Sequence, residues 1–129
     1  MLVSEFTDHV AGWRVIATPA ALDAAPWPAG SHVVRISPDD AFVIGAAEPA
    51  VPADAHAIVT PEAGFSMATV HDLAALAEQH IEWQLPAARP ALAQGQIAGV
   101  PAKLVLHADG TTQLLVASPA RHELQERLS

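Results

Sequence analysis

The sequence predicts a small α+β domain of antiparallel strands with two main helices. Three observations support this class: apolar residues alternate in several short segments, turn motifs join neighbouring strands, and two segments have helical periodicity. Hairpins and helices are intermixed without long parallel crossovers, which favours layered antiparallel sheets. With 129 residues and no cysteine, the chain is expected to form a single domain over residues 1–129, whose apolar core needs no disulfide.

The N-terminal segment, residues 1–31, has the weakest pattern. A short strand is expected from Trp13 to Ala17. A loop is expected from Ala24 to Gly30, because Pro26 and Pro28 each fix φ and remove a backbone donor. The regular pattern therefore begins after this segment.

Two hairpins are predicted in the next part of the chain. The first covers His32 to Gly45, with a type I turn at Ser37–Asp40 that places proline second and acceptors around it. The second joins strands at Ala57–Thr60 and Phe65–Val70 through a turn at Pro61–Gly64. Both hairpins imply pairing between strands that are neighbours in sequence.

The first main helix is predicted after these hairpins. The segment Thr69–Asp72 has the hydroxyl-x-x-carboxylate spacing of a helix start, which predicts Thr69 as the capping residue. Apolar residues and His80 then recur at helical spacing from Leu73 to Ile81. Pro86 and Pro90 prevent the helix from continuing.

The last part of the chain predicts three strands and the second main helix. An Asp109-Gly110 turn joins two of the strands, since glycine tolerates positive φ. Ser118 and Pro119 have the order of an N-cap and a first helical residue. The strands are Ala91–Ala98, Ala102–His107 and Gln113–Ala117, and the helix face is Ala120, Leu124 and Leu128.

Charge and hydropathy exclude several partners and compartments. The formal net charge is −8, so nucleic acid and anionic membranes would repel the chain on average. The longest apolar run, Ala41–Ala47, is far shorter than a membrane span. Residues 1–9 contain two acids and no base, unlike a signal peptide. A cytoplasmic protein that binds neither nucleic acid nor membrane is therefore expected.

The chemistry-bearing motifs do not complete a catalytic or metal site. The segment Glu78–Glu82 holds one histidine between carboxylates, and no helix face presents two histidines, so no metal is expected. Ser66 lies in a near match to the G-x-S-x-G nucleophile motif, but the segment is not a strand that turns directly into a helix. The paired carboxylates at 39–40 and on the last helix favour capping and solvated roles. The sequence thus favours a non-catalytic protein, with a triad-dependent hydrolase as a remaining alternative.

A resemblance to a known family covers residues 32–128. The segments Ala98–Leu106, Thr112–Pro119 and Ala120–Leu128 resemble the end of the aminomethyltransferase-type folate-binding fold, with its "G-V-P" strand, return strand and helix. Within that fold family the sequence is most similar to the sarcosine oxidase gamma subunits. Three upstream segments agree in order and spacing: Arg35–Ile44, His56–Thr60 and Leu73–Ile81.

The departures from that family concern its functional residues. His107 stands where aminomethyltransferases have an arginine, and the tyrosine and acidic positions of their following segment are lost. The cysteine motif of related iron–sulfur maintenance proteins is absent, because the chain has no cysteine. No folate-contacting residue is therefore carried over, and no cofactor is expected.

Two functions follow as expectations. The resemblance implies a non-catalytic accessory protein, linked to one-carbon or amine oxidation, that binds a protein partner or a second copy of itself. The alternative is a small-molecule module for a folate-like anion. Tryptophan is common at interfaces, although core packing also explains it. The interaction residues expected for the first function are Trp13, Trp27 and Trp83, and the anion-binding residues for the second are Arg35, Arg89 and Lys103.

Overall fold

The chain folds as an α+β protein with two antiparallel four-stranded sheets, which confirms the predicted class. The computed structural model describes all 129 residues. The strands are β1 (Gly12–Ile16), β2 (His32–Ser37), β3 (Asp40–Ile44), β4 (Ile58–Glu62), β5 (Phe65–Thr69), β6 (Ala91–Ile97), β7 (Val100–Leu106) and β8 (Thr112–Ala117). The helices are α1 (Pro19–Ala24), α2 (Leu73–His80) and α3 (Arg121–Arg127), and a 3₁₀ helix at Ser118–Ala120 leads into α3.

The residues group into two compact units. The inserted unit is Val10–Ala63, and the terminal unit combines Met1–His9 with Gly64–Ser129. Each unit contains one sheet and its own apolar cluster. The single-domain organisation expected from chain length stays a prediction.

The inserted unit contains the sheet with strand order β2-β3-β1-β4. Alternate residues of the strands, among them Val15, Ala41 and Val43, point to one face and are completely buried. Leu22 of α1 packs into the same cluster, so this short helix covers that face. The β2–β3 hairpin forms as predicted.

The terminal unit contains the sheet with strand order β5-β8-β7-β6. Its buried face includes Leu104 and Leu114, which are opposite each other on β7 and β8. Leu76 of α2 and Leu124 of α3 complete the cluster and are wholly buried. The three strands and the Asp109-Gly110 turn predicted for this part of the chain are therefore present. No helix of the protein is both long enough and apolar enough to span a membrane.

The N-terminal segment is more regular than its sequence pattern suggested. Strand β1 lies inside its sheet between β3 and β4. Helix α1 was missed in the sequence, because half of its six residues are alanine and they give no amphipathic stripe. Its start has a clear local cause, since the Thr18 hydroxyl accepts a hydrogen bond from the Ala21 amide and Pro19 occupies the first turn.

Both predicted helix caps were assigned to the wrong residue. Thr69 ends strand β5, and the cap of α2 is Asp72, whose carboxylate accepts from the Ala75 amide at 3.0 Å. Ser118 lies inside the 3₁₀ helix and makes no cap hydrogen bond. Its hydroxyl instead contacts that of Ser66 at 2.9 Å. Thr69 is thus part of a sheet and the Ser118 hydroxyl makes a tertiary contact, where local spacing had assigned each residue to a cap.

The second predicted hairpin is wrong in its pairing. Strand β4 pairs with β1, and β5 pairs with β8. Pro61 and Glu62, expected to turn, continue β4 at the edge of its sheet, where a residue without an amide proton is tolerated. Two adjacent extended segments with a short gap thus belong to different sheets.

Acid should weaken the fold in part through Asp54. Its carboxylate accepts from the Thr18 amide at 3.0 Å and the His56 amide at 2.9 Å, and these hydrogen bonds hold the pKa of Asp54 below its ordinary 3.8. Because the folded pKa is the lower one, the stabilisation is complete above the unfolded pKa and is lost as pH falls through the folded pKa.

We therefore expect Asp54→Ala to lower the thermal midpoint at pH 6, and the difference in midpoint from wild type to shrink below the unfolded pKa and to close as pH falls through the folded pKa. Calorimetry across that range measures the gap. Glu48→Ala, which removes an exposed loop carboxylate, is the matched control and should show no such trend. A gap for Asp54→Ala that is constant with pH would contradict the assignment.

Candidate functional site

A groove lies beside the C-terminal end of α2 in the terminal unit. It encloses about 590 Å³. One wall is the chain from Glu78 to Trp83, and the other is the β6–β7 connection at Gln96, Ala98 and Gly99. We call it the Trp83 groove.

The wall at Trp83 is held in place by two contacts. The indole Nε1–H donates to the Gln96 carbonyl at 2.9 Å. The ring also lies directly on the backbone of Gly95, because a Cβ built there would lie 2.6 Å from the indole Cε2 and Nε1 atoms. Only glycine therefore permits this position of the indole. Trp83 is half-buried and also packs against the core of the terminal unit.

The opposite wall is a tight two-residue turn. Ala98 has φ 51° and Gly99 has φ 79°, so both residues occupy the left-handed region that a two-residue hairpin turn requires. Ala98 carries some strain there, because its Cβ disfavours positive φ. Its amide donates to the His80 carbonyl at 3.0 Å, and its carbonyl accepts from Arg127 at 2.7 Å. The first bond fixes the turn to the end of α2, and the second fixes it to α3.

Carboxylates dominate the charge of the Trp83 groove. Glu78 lies on α2, and Glu82 lies after the helix has ended at His80, so the two carboxylates do not share a helix face. They line the same groove because the chain becomes extended at Ile81. Neither carboxylate forms an ion pair within the protein. The C-terminal end of a helix adds partial negative charge.

The three basic residues expected to bind an anion each make contacts inside their own unit. Arg35 donates to the Pro19 and Pro38 carbonyls and pairs with Asp23 at 3.0 Å in the inserted unit. In the terminal unit, Arg89 donates to two backbone carbonyls and to the Thr112 hydroxyl. Lys103 lies over the Phe65 ring, 5.5 Å from its centre. The two guanidinium groups are thus engaged by the protein's own oxygens.

The three tryptophans are half-buried and lie at different places. Trp13 and Trp27 pack against the core of the inserted unit, and Trp83 packs against the other core. Trp13 also lines an apolar hollow of about 350 Å³ together with Gly12 and Pro61. Trp83 lines the Trp83 groove together with Glu78 and Glu82.

In the inserted unit, an ion-pair network around Arg14 holds neighbouring strands together. Arg14 forms a two-pronged pair with Asp40 at 2.6 and 2.7 Å and reaches Glu62 at 3.0 Å, so it links three neighbouring strands. The hydrogen bonds to Asp40, with the attraction of both carboxylates, raise the pKa of Arg14 despite partial burial. This network was missed in the sequence because its members are far apart in the chain.

Ser66 lies in a buried polar contact and is not poised as a nucleophile. It is completely buried, and its hydroxyl donates to the Asp8 carbonyl at 2.7 Å. Ser118 is beside it, and the nearest histidine ring nitrogen, Nδ1 of His9, is 3.4 Å from the Ser118 hydroxyl. No group of three or more metal-ligating side chains is present.

Comparison with known proteins adds no relative. No family model matches the sequence. No curated protein matches it either.

Proposed function

We propose that this chain is a non-catalytic accessory protein of the cytoplasm, linked to one-carbon or amine oxidation, that works by binding a protein partner. Its resemblance to the sarcosine oxidase gamma subunits supports this role. The observation that carries the proposal is that side chains able to bind a ligand or act as a nucleophile are hydrogen-bonded within the fold. Arg35 and Arg89 bind backbone carbonyls, and the Ser66 hydroxyl is buried on one.

The Trp83 groove is the surface that we propose for the partner. A fixed, half-exposed indole beside polar groups is typical of an interface residue with a large share of the binding energy. The unpaired carboxylates Glu78 and Glu82 at the same place favour a partner surface with positive charge.

Copurification tests the accessory role. The full chain carries an affinity tag and is expressed in the organism that encodes it. It should then retain a larger oxidase subunit during purification. Mass spectrometry and flavin absorbance identify that subunit. Glu82→Arg should reduce the retained oxidase about tenfold or more, as expected for a charge reversal inside an interface. Glu48→Arg, the same change on an exposed loop, should leave it unchanged. A chain that elutes alone as a monomer would contradict the role.

Calorimetry tests the alternative of a folate-like ligand. Because the Trp83 groove is lined by carboxylates and the two arginines are engaged elsewhere, we expect no heat of binding for tetrahydrofolate at micromolar concentrations. Micromolar binding that is lost in Lys103→Met would replace the accessory role with the small-molecule one.

A further inference from the structure

The Trp83 groove combines a cavity, a fixed aromatic wall and uncompensated negative charge. The cavity of about 590 Å³ is within the range of small-ligand sites, and it lies entirely within the terminal unit. Two carboxylates line it, and no lysine or arginine does. We propose that this groove binds an organic cation, such as an ammonium or guanidinium group. The inference concerns the same groove that we propose for the partner, and it names the ligand chemistry that this groove recognises.

The indole gives the groove its selectivity for an organic cation. A cation beside the face of a tryptophan is attracted by the ring quadrupole, and alkyl groups on that cation add apolar contact. The ring is held in place, because the Gln96 carbonyl accepts from its Nε1–H and the Gly95 backbone lies against it. The wall is therefore preorganised and loses little freedom on binding.

The carboxylates give the groove its negative charge. Glu78 and Glu82 make no ion pair inside the protein, in contrast to Asp40, which Arg14 neutralises. Arg127 lies beside the β6–β7 turn, and its guanidinium donates to the Ala98 carbonyl and pairs with Glu123. The groove thus keeps its negative potential although a base lies at its rim.

Polar groups on both walls can orient the ligand. The Gln79 and Gln96 amides and the His80 imidazole line the groove and offer hydrogen-bond acceptors to N–H groups. An alkylammonium or an arginine side chain fits this set, since each has an apolar stem and several donors. A folate-like anion does not, because it would meet two carboxylates.

Nuclear magnetic resonance of the indole N–H groups tests the proposal on the whole chain. The three tryptophans give three signals, and Trp83→Phe assigns the one in the groove. Butylammonium should shift the Trp83 signal saturably in the millimolar range, and the Trp13 and Trp27 signals should stay in place. Neutral butanol and anionic butyrate, matched in size, should leave all three unchanged.

Two double variants distinguish the effect of the carboxylates in the groove from that of the protein's overall negative charge. Glu78→Gln with Glu82→Gln should weaken butylammonium binding by about fivefold or more. Glu48→Gln with Glu126→Gln removes the same charge from exposed positions outside the groove and should change binding by less than about twofold. Equal weakening in both pairs, or no saturable Trp83 shift in the wild type, would overturn the proposal.

The source of the cation is settled by a second pair of probes. A capped five-residue peptide with one central arginine represents a partner's side chain, and its citrulline analogue is the neutral control. Tighter binding of the arginine peptide than of butylammonium assigns the groove to a partner. The reverse order assigns it to a free amine. Binding of citrulline and arginine peptides alike would reject the cation site, while leaving the copurification result to decide the accessory role.

Discussion

Replacing Gly12 by alanine should destabilise the inserted unit by about 3 kcal/mol or more. Gly12 lies in the central strand β1, opposite Ile44 of β3. A Cβ built on it would lie 2.4 Å from the Val43 carbonyl oxygen and 2.7 Å from the Phe42 ring. Because the closest atom belongs to the backbone, the sheet itself would have to shift, and no change of rotamer could relieve the clash.

Urea unfolding of Gly12→Ala measures this effect. Ala11→Ser, an exposed change one residue away, is the control and should stay within about 0.5 kcal/mol of wild type. Gly95→Ala is an informative comparison, since its new Cβ meets a side chain, the Trp83 ring. Combining Gly95→Ala with Trp83→Ala should therefore recover stability relative to the sum of the single variants. Adding Phe42→Leu to Gly12→Ala should recover no stability in this way. If the double variant does recover stability, the clash of the new Cβ is with the Phe42 ring and not with the backbone.

Leu104→Ala should lower the free energy of unfolding by about 3–4 kcal/mol. Leu104 is completely buried in the middle of β7, opposite Ala93 on one side and Leu114 on the other. Four strands and two helices surround the site, so the structure cannot collapse into the space that the missing methyl groups leave. The cost then includes a cavity as well as lost burial.

Val105→Ala is the matched control for this core position. Val105 is the next residue of β7 and points to the opposite face, where it is only half-buried. Its truncation should cost about 1 kcal/mol in the same urea titration. If the two variants unfold at the same midpoint, the assignment of the buried face of this sheet is wrong.

Local signals in the sequence predicted the elements that depend on local contacts. The turn at Ser37–Asp40 and the Asp109-Gly110 motif each join strands that pair directly, so both hairpins were predictable. The apolar spacing of Leu124 and Leu128 likewise placed the last helix. In these segments, a residue's nearest partners in space are also close in sequence.

Elements whose partners are distant in sequence were not predictable in this way. Nothing near β4 indicates that its partner is β1, so adjacency suggested a hairpin with β5 that does not form. The Trp83 groove has the same origin. The sequence singled out Trp83 and the segment Glu78–Glu82, but their shared surface depends on the β6–β7 turn and on a glycine that admits the indole. Spacing along one helix could not reveal it.

The terminal unit is built from two separate stretches of the chain, and this has a consequence for folding during translation. The inserted unit is one uninterrupted stretch, Val10–Ala63, and its sheet pairs strands from that stretch alone. Residues 1–9 instead belong with chain made much later, since Val3 bridges Val70 and the Phe6 amide donates to Gln125. On the ribosome, the inserted unit can therefore finish folding before the residues that contact residues 1–9 have been synthesised. Residues 1–9 are thus translated before the inserted unit but reach their native contacts after it.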